Sequence, residues 1–300
     1  MDDQVIGIDL GGTAIKLGRF RADGSCQQSL TVDTPQPATP KAVVEVIKSA
    51  IARLIAEAKL AEIKAIGIGM PGPTDASGRV AIVAINLSGW NNVPLADLLE
   101  QATGLPVILA NDANCAGLGE TWLGAGQGCH NAILLTLGTG VGGAVILNGH
   151  LFTGHYGSAA ELGLITINFD GPACNSGNQG SLEQYVSVQA IRRETGKEPL
   201  ELAKLAENGD VKAIAYWQNY GQLLGAGLAS LIYIFTPEVI ILGGGISAGI
   251  NLFLPSTQAE IEKRVLAGSR IDLKMVPAKL GNQAGMVGAA KLAWDKVSSY

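Results

Sequence analysis

Thiols are scarce in this chain. Its four cysteines, Cys26, Cys115, Cys129 and Cys174, follow no regular spacing, which excludes a disulfide framework as the organising device of the fold. Positive charge is also short. With 21 Lys and Arg against 26 Asp and Glu, the formal net charge is −5, so neither a nucleic-acid groove nor an anionic membrane surface is expected as the main partner. The longest apolar run, LLGAGLASLIYIF at 223–235, falls short of the roughly 20 residues that cross a bilayer and reads as a buried helix. Nor is there an export signal: the chain opens MDDQ, acidic where a secretory segment is basic, and a cytoplasmic location is expected.

Glycine, by contrast, is abundant. Forty glycines among 300 residues, with no collagen period, must serve local backbone geometry, and the length accommodates two lobes of ordinary size. VIGIDLGGTAIKLGRFRADGSCQQSLTVDT alternates β-type runs with turns at Gly11-Gly12 and Asp23-Gly24, and predicts three antiparallel strands. From Pro40 to Lys59 a helical stripe of Val44, Ile47, Ile51, Leu54 and Ile55 takes over. Strands are expected at 65–70, 80–85 and 107–110, with a helix near 94–102.

A second lobe is expected from about residue 120. AILLTL, GTGVGG and AVIL make another strand pair around a glycine turn, helices dominate from about 181 to 235, and EVIIL at 238–242 opens into Gly243-Gly244-Gly245. The expected division is therefore a small α/β lobe, 1–119, joined by a closing helix near 283–300, and a large α/β lobe, 120–282. The two hairpins resemble each other, so each lobe is expected to present one glycine turn to a shared cleft; the alternative is a chance likeness of two glycine turns.

GTGVGG formally fits G-x-G-x-x-G, but a strand follows it, which rejects a dinucleotide-binding fold. As a nest of backbone N–H groups it suits phosphate oxygens, although plain turns use the same residues. In DLGGT, Asp9 ends an apolar strand beside Gly11, Gly12 and Thr13, where a carboxylate and phosphate-binding amides would flank Mg²⁺; the alternative is an Asp that caps its own turn. In LANDANCAGLGE, Asn111 and Asp112 mark a strand end and a helix start. They read either as simple N-caps or as a cap followed by a general base for phosphoryl transfer to an alcohol.

Together and in order, DLGGTAIK, GIGMPGP, LANDANCAGLGE, LTLGTGVGGAVILNG, GSAAELGLITI, SLEQY and VIILGGGIS resemble the ROK family of sugar kinases and repressors, and within it the glucokinases. The resemblance spans nearly the whole chain. It implies an α/β fold of the actin-like, hexokinase type (ribonuclease H-like), two lobes around a central cleft, and transfer of the terminal phosphoryl group of ATP to the 6-hydroxyl of a hexose, glucose first. By position, Asp9, Gly11, Gly12 and Thr13 match the first phosphate motif, Gly138, Thr139 and Gly140 the second, and Gly243, Gly244 and Gly245 the adenosine-side turn. Asp112 matches the catalytic base, Asn111, Glu161 and Glu183 match sugar ligands, and Gly72 and Asn86 face the sugar in similar proteins. Asp9 would stand on the Mg²⁺ side, through water. Lys16 suits either phosphate charge or a snorkelling strand lysine.

One departure is plain. The family's zinc pattern needs three cysteines and a histidine; here Cys174 is joined by Ser176, Ser181 and Leu164, so no structural zinc is expected. The missing histidine leaves mannose, fructose and N-acetyl hexosamines open as substrates, and inorganic polyphosphate open as a donor. A DNA-binding repressor is disfavoured because the phosphate motif begins within ten residues of the start; a silent sugar-binding regulator would have lost Asp9 or Asp112. A homodimer is the usual state of similar kinases.

Overall fold

The computed structural model describes residues 3–56, 62–84 and 87–298. The chain divides into two compact units: residues 1–128 with 150–160 and 280–300, and residues 129–149 with 161–279.

In the first unit, β1 (Gln4–Leu10), β2 (Ala14–Arg21) and β3 (Cys26–Asp33) form the expected antiparallel meander. β4 (Ile63–Met70) then pairs parallel with β1, and the sheet order becomes β3-β2-β1-β4-β7 once β7 (Val107–Asn111) adds parallel to β4. A small antiparallel pair, β5 (Ala81–Val83) and β6 (Asn91–Val93), lies in the intervening excursion. β1 and β4 are buried almost throughout, as expected of central strands covered on both faces.

Helix α1 (Pro40–Leu54) starts at Thr39, whose side chain caps Ala42 N–H, and buries Val43, Val44, Ile47, Ala50, Ile51 and Leu54. The expected extension towards Lys59 falls partly on residues outside the described ones. α2 is Leu95–Thr103, ended by Gly104 in the left-handed conformation, and α3 is Asp112–Leu123.

The second unit repeats the plan. Four of its strands run in the order β9-β8-β11-β12: β8 (Ala132–Leu137) is antiparallel to β9 (Val141–Leu147) and parallel to β11 (Val239–Gly243), which is parallel to β12 (Lys274–Pro277). Replacing β2, β1, β4 and β7 by β9, β8, β11 and β12 reproduces both order and direction. The likeness of the two glycine hairpins is therefore a likeness of whole half-sheets. The short strand β10 (His150–Leu151) follows β9 in sequence.

Helices α4 (Glu183–Val186), α5 (Val188–Thr195), α6 (Pro199–Glu207), α7 (Val211–Phe235) and α8 (Ile250–Arg264) complete the second unit. The apolar run 223–235 is the end of α7, whose Trp217 stacks on Phe253 of α8 while Tyr220 packs tilted against the same ring. Among the described residues no helix is long and apolar enough to cross a membrane.

The last helix, α9 (Ala284–Ser298), returns to the first unit and packs on β1, β4 and α3. Its composition permits this. A Cβ at Gly67 would strike Ala289 O, and one at Gly288 would strike Cys115 O, so helix, sheet and helix meet backbone to backbone. The same helix packs on β1 and α3, the elements that carry Asp9 and Asp112.

Candidate active site

Asp9 is the penultimate residue of β1, and β2 brings Lys16 directly opposite it in the ladder. Lys16 Nζ lies 3.4 Å from Asp9 Oδ2 and donates to Asn282 O at 2.9 Å. The start of α9 closes over the same carboxylate: a Cβ on Gly285 would lie 3.0 Å from Asp9 Cγ. Burial pushes the Asp9 carboxyl above its ordinary range, and the charge and hydrogen bond of Lys16 pull it back in part.

The turn after Asp9 is held from behind. Gly11 N–H donates to Ala14 O, Thr34 N–H to Thr13 O at 3.0 Å, Thr34 Oγ1 to Gly11 O at 2.7 Å, and Gln36 Nε2 to Gly12 O at 3.4 Å. Every carbonyl from Gly11 to Thr13 is thus engaged by residues 34–36, and among the described residues no acceptor is found for the Gly12 and Thr13 N–H groups. A turn with its carbonyls pinned on one side and amides unspent suits an anion. Thr34 and Gln36 lie in no motif that marks them in the sequence as site residues.

At the start of α3, Asn111 Oδ1 accepts from Ala113 N at 2.9 Å and Asn114 N at 3.3 Å, and its Nδ2 donates to Gly72 O at 3.2 Å. Asn111 is therefore the cap, with one amide hydrogen to spare. Gly72 must be glycine: its φ is +87° and a Cβ there would strike Val83 O. Asp112, relieved of the main capping duty, keeps accessible surface and accepts from Ala113 N at 2.8 Å. Enough protein surrounds its carboxyl that desolvation raises its pKa; the Ala113 hydrogen bond lowers it, and the charge of Asp9 adds to the rise. The two carboxylates thus share one electrostatic neighbourhood. Cys115, fully buried one turn further along α3, has its thiol pushed well up by burial and by both charges, and stays neutral. Asn86 lies outside the described residues.

In the second unit, the turn Gly138-Thr139-Gly140 joins β8 to β9, with Gly138 N–H donating to Gly140 O at 3.0 Å. Segment 183–188 grips it at both shoulders: Val188 N–H donates to Gly138 O at 2.8 Å, and Glu183 Oε2 accepts from Val141 N at 2.9 Å. Gly244, at φ +83°, lies against Leu137 backbone, which brings Gly243, Gly244 and Gly245 beside this turn. Gly163, two residues past Glu161, packs on Val141, so the segment carrying Glu161 meets the residue that Glu183 holds.

Loop 164–182 explains how Glu183 is delivered. Asn178 Nδ2 donates to Leu164 O at 2.7 Å, and its Oδ1 accepts from Thr166 Oγ1 at 3.1 Å and Gln179 N at 2.7 Å. Backbone bonds Cys174 N to Asn178 O, Gly180 N to Pro172 O and Leu182 N to Ile165 O, each 2.8 Å, close the rest. Ser176 Oγ is 3.2 Å from Cys174 Sγ. One thiol, two hydroxyl residues and a leucine do not fit zinc; a side-chain amide clamp does the tying instead. Among the described residues no cluster of three or more His, Cys, Asp or Glu is gathered that could hold a metal ion.

The sequence profile of the ROK family matches residues 5–296. The glucokinase of Thermotoga maritima is 35% identical, over 98% of this chain and 98% of its own. Among solved structures, the ROK hexokinase of Thermus thermophilus superposes with a TM-score of 0.88 at 35% identity, covering 99% of this chain and 100% of that one. The ROK family glucokinase of Streptomyces griseus, solved in complex with glucose and AMPPNP, gives 0.77 at 35% identity, with 97% and 99% covered. These likenesses fix the fold as the α/β hexokinase type of ROK kinases.

Proposed function

We propose, from the premise that this chain belongs to the ROK family, that it is an ATP-dependent hexose kinase with glucose as its preferred acceptor. The observation that carries the reading is the division of labour at α3, where Asn111 caps the helix and leaves Asp112 an accessible, incompletely satisfied carboxylate.

In this reading Asp112 takes the proton of the 6-hydroxyl as that oxygen forms its bond to the terminal phosphorus of ATP. The bond from that phosphorus to the bridging oxygen breaks, ADP departs with the electron pair, and Asp112 returns its proton to solvent. Transfer of this kind is mostly positioning and charge stabilisation, which is what backbone turns supply. Gly11, Gly12 and Thr13, and Gly138, Thr139 and Gly140, take phosphate oxygens; Gly243, Gly244 and Gly245 offer flat backbone to the adenosine. Asn111, Glu161 and Glu183, with Gly72 and Asn86, receive the sugar hydroxyls.

Magnesium ordinarily binds through one or two carboxylates plus substrate phosphates, and a partly buried Asp9 beside unspent amides fits that habit. Asp9 would hold the ion through water, and the ion would neutralise phosphate charge. The working form in this reading is a cytoplasmic homodimer.

A coupled assay across glucose, mannose, fructose and N-acetylglucosamine, with ATP or polyphosphate as donor, tests the proposal. ATP-dependent phosphorylation of glucose with the highest kcat/KM is expected. Turnover with polyphosphate alone, or none with any hexose, contradicts it.

A further inference from the structure

Glu183 belongs to the sugar ligands in the reading above, yet its carboxylate already has another partner. Oε2 accepts the N–H of Val141, the residue that leaves the Gly138-Thr139-Gly140 turn, at 2.9 Å. The same oxygen lies so close to Gly140 that a Cβ there would displace the carboxylate from its place on the turn.

The rest of the segment is built to hold this contact. Leu182 is fully buried, and its side chain fills the space a Cβ on Gly227 of α7 would need. Tyr220 of α7, buried, donates its hydroxyl to Val186 O at 2.9 Å, at the end of α4. Val188 N–H then returns to Gly138 O. Glu183 is therefore carried on a rigid support and clasps one shoulder of the turn while the backbone clasps the other. An ionised carboxylate has about four lone-pair sites, and a single N–H leaves the other oxygen able to accept a hydroxyl proton.

We infer that Glu183 is a positioning residue that couples the two substrates: Oε2 sets the Val141 end of the phosphate turn while Oε1 accepts a hydroxyl of the hexose. This rests on the kinase reading and adds to it a path from sugar occupancy to nucleotide affinity. A hexose bonded to Oε1 orders the carboxylate, which orders the turn, so each ligand strengthens the binding of the other by the same factor.

Calorimetry of the whole chain with glucose and with AMPPNP, each alone and each in the presence of the other, measures that factor. In the unaltered protein, glucose tightens AMPPNP binding by about fivefold or more, within the usual range of coupling between sites. Glu183→Ala loses the coupling and binds AMPPNP more weakly even without sugar; Glu183→Gln, which keeps an acceptor for Val141 N–H, retains AMPPNP affinity within about threefold. Tighter or unchanged AMPPNP binding by Glu183→Ala would overturn the inference.

A second measurement needs no variant. Hydrogen exchange at the Val141 amide slows when glucose alone is added to the unaltered protein, and an unchanged rate in the presence of saturating glucose overturns the inference while the kinase reading stands. If glucose itself fails to bind, both fall.

Discussion

Lys16 Nζ stands 3.4 Å from Asp9 Oδ2 across the β1–β2 ladder and reaches Asn282 O with the same ammonium. Of the two roles its sequence position suggested, phosphate charge or a snorkelling stem, the geometry shows a third: counter-charge to a carboxylate that burial pushes towards the neutral form. Lys16→Met is expected to lower kcat/KM by about tenfold, equivalent to about 1.4 kcal/mol, and to move the acid limb of the pH profile upward, because Asp9 then protonates at higher pH. Lys16→Arg should restore most of both. A profile unchanged in Lys16→Met contradicts this role.

The raised carboxyl of Asp112 has a consequence for stability. Its folded-state pKa lies above the unfolded value, so the folded state binds the proton more tightly; the contribution is fully present below the unfolded pKa and is lost as pH rises through the folded one. At neutral pH the ionised carboxyl is therefore a liability to the fold. Asp112→Asn keeps an acceptor for Ala113 N–H and removes the charge. Its Tm at pH 7 should equal or exceed that of the unaltered protein, with any advantage gone below about pH 4, where an unfolded aspartate is protonated. A variant that melts lower at pH 7 speaks against the assignment.

Thr34, buried, gives Gly11 O its hydroxyl proton and Thr13 O its N–H. Thr34→Val keeps the shape and the N–H but leaves Gly11 O without its donor, at a cost of about 1–3 kcal/mol. The KM for ATP should rise by about tenfold, with the KM for glucose little changed, and Thr34→Ser should recover it. Equal effects on both substrates would indicate general disruption instead of turn geometry.

Asn178 ties loop 164–182 through its side-chain amide. Asn178→Ala removes its bonds to Leu164 O, Thr166 Oγ1 and Gln179 N, and is expected to cost about 1–3 kcal/mol of local stability. Limited proteolysis should then cut within 173–180, and sugar affinity should fall more than nucleotide affinity. A zinc-selective chelator should not affect the unaltered protein; inactivation by one contradicts the clamp.

Much of this was legible in order along the chain. The meander β1–β3 announced itself through alternation and the turns at Gly11-Gly12 and Asp23-Gly24, and α1 through a stripe whose Val44, Ile47, Ile51 and Leu54 are buried. The resemblance of the two hairpins foretold the repeated half-sheet. Helix α8 escaped notice because Pro255 lies inside it and its buried residues are few. Edge strand β12 is short and half exposed, with no alternation to read. Within the candidate site, the two glycine turns and the Asn111-Asp112 pair are visible as local motifs. Thr34, Gln36, Asn178 and the second partner of Glu183 are not, since each acts on a backbone group 14 to 42 residues away or on the far side of a turn. Such contacts are made by packing, and packing leaves no periodic trace.

The central claim is that Asp112 accepts the proton of the phosphorylated hydroxyl, and single-turnover phosphorylation by Asp112→Asn, read beside glucose binding by calorimetry on the same sample, tests it most directly. The account predicts a fall in the rate of about 10²–10⁴-fold, the usual contribution of a general base, with glucose affinity within a few-fold of normal. Phosphorylation at an undiminished rate would contradict it.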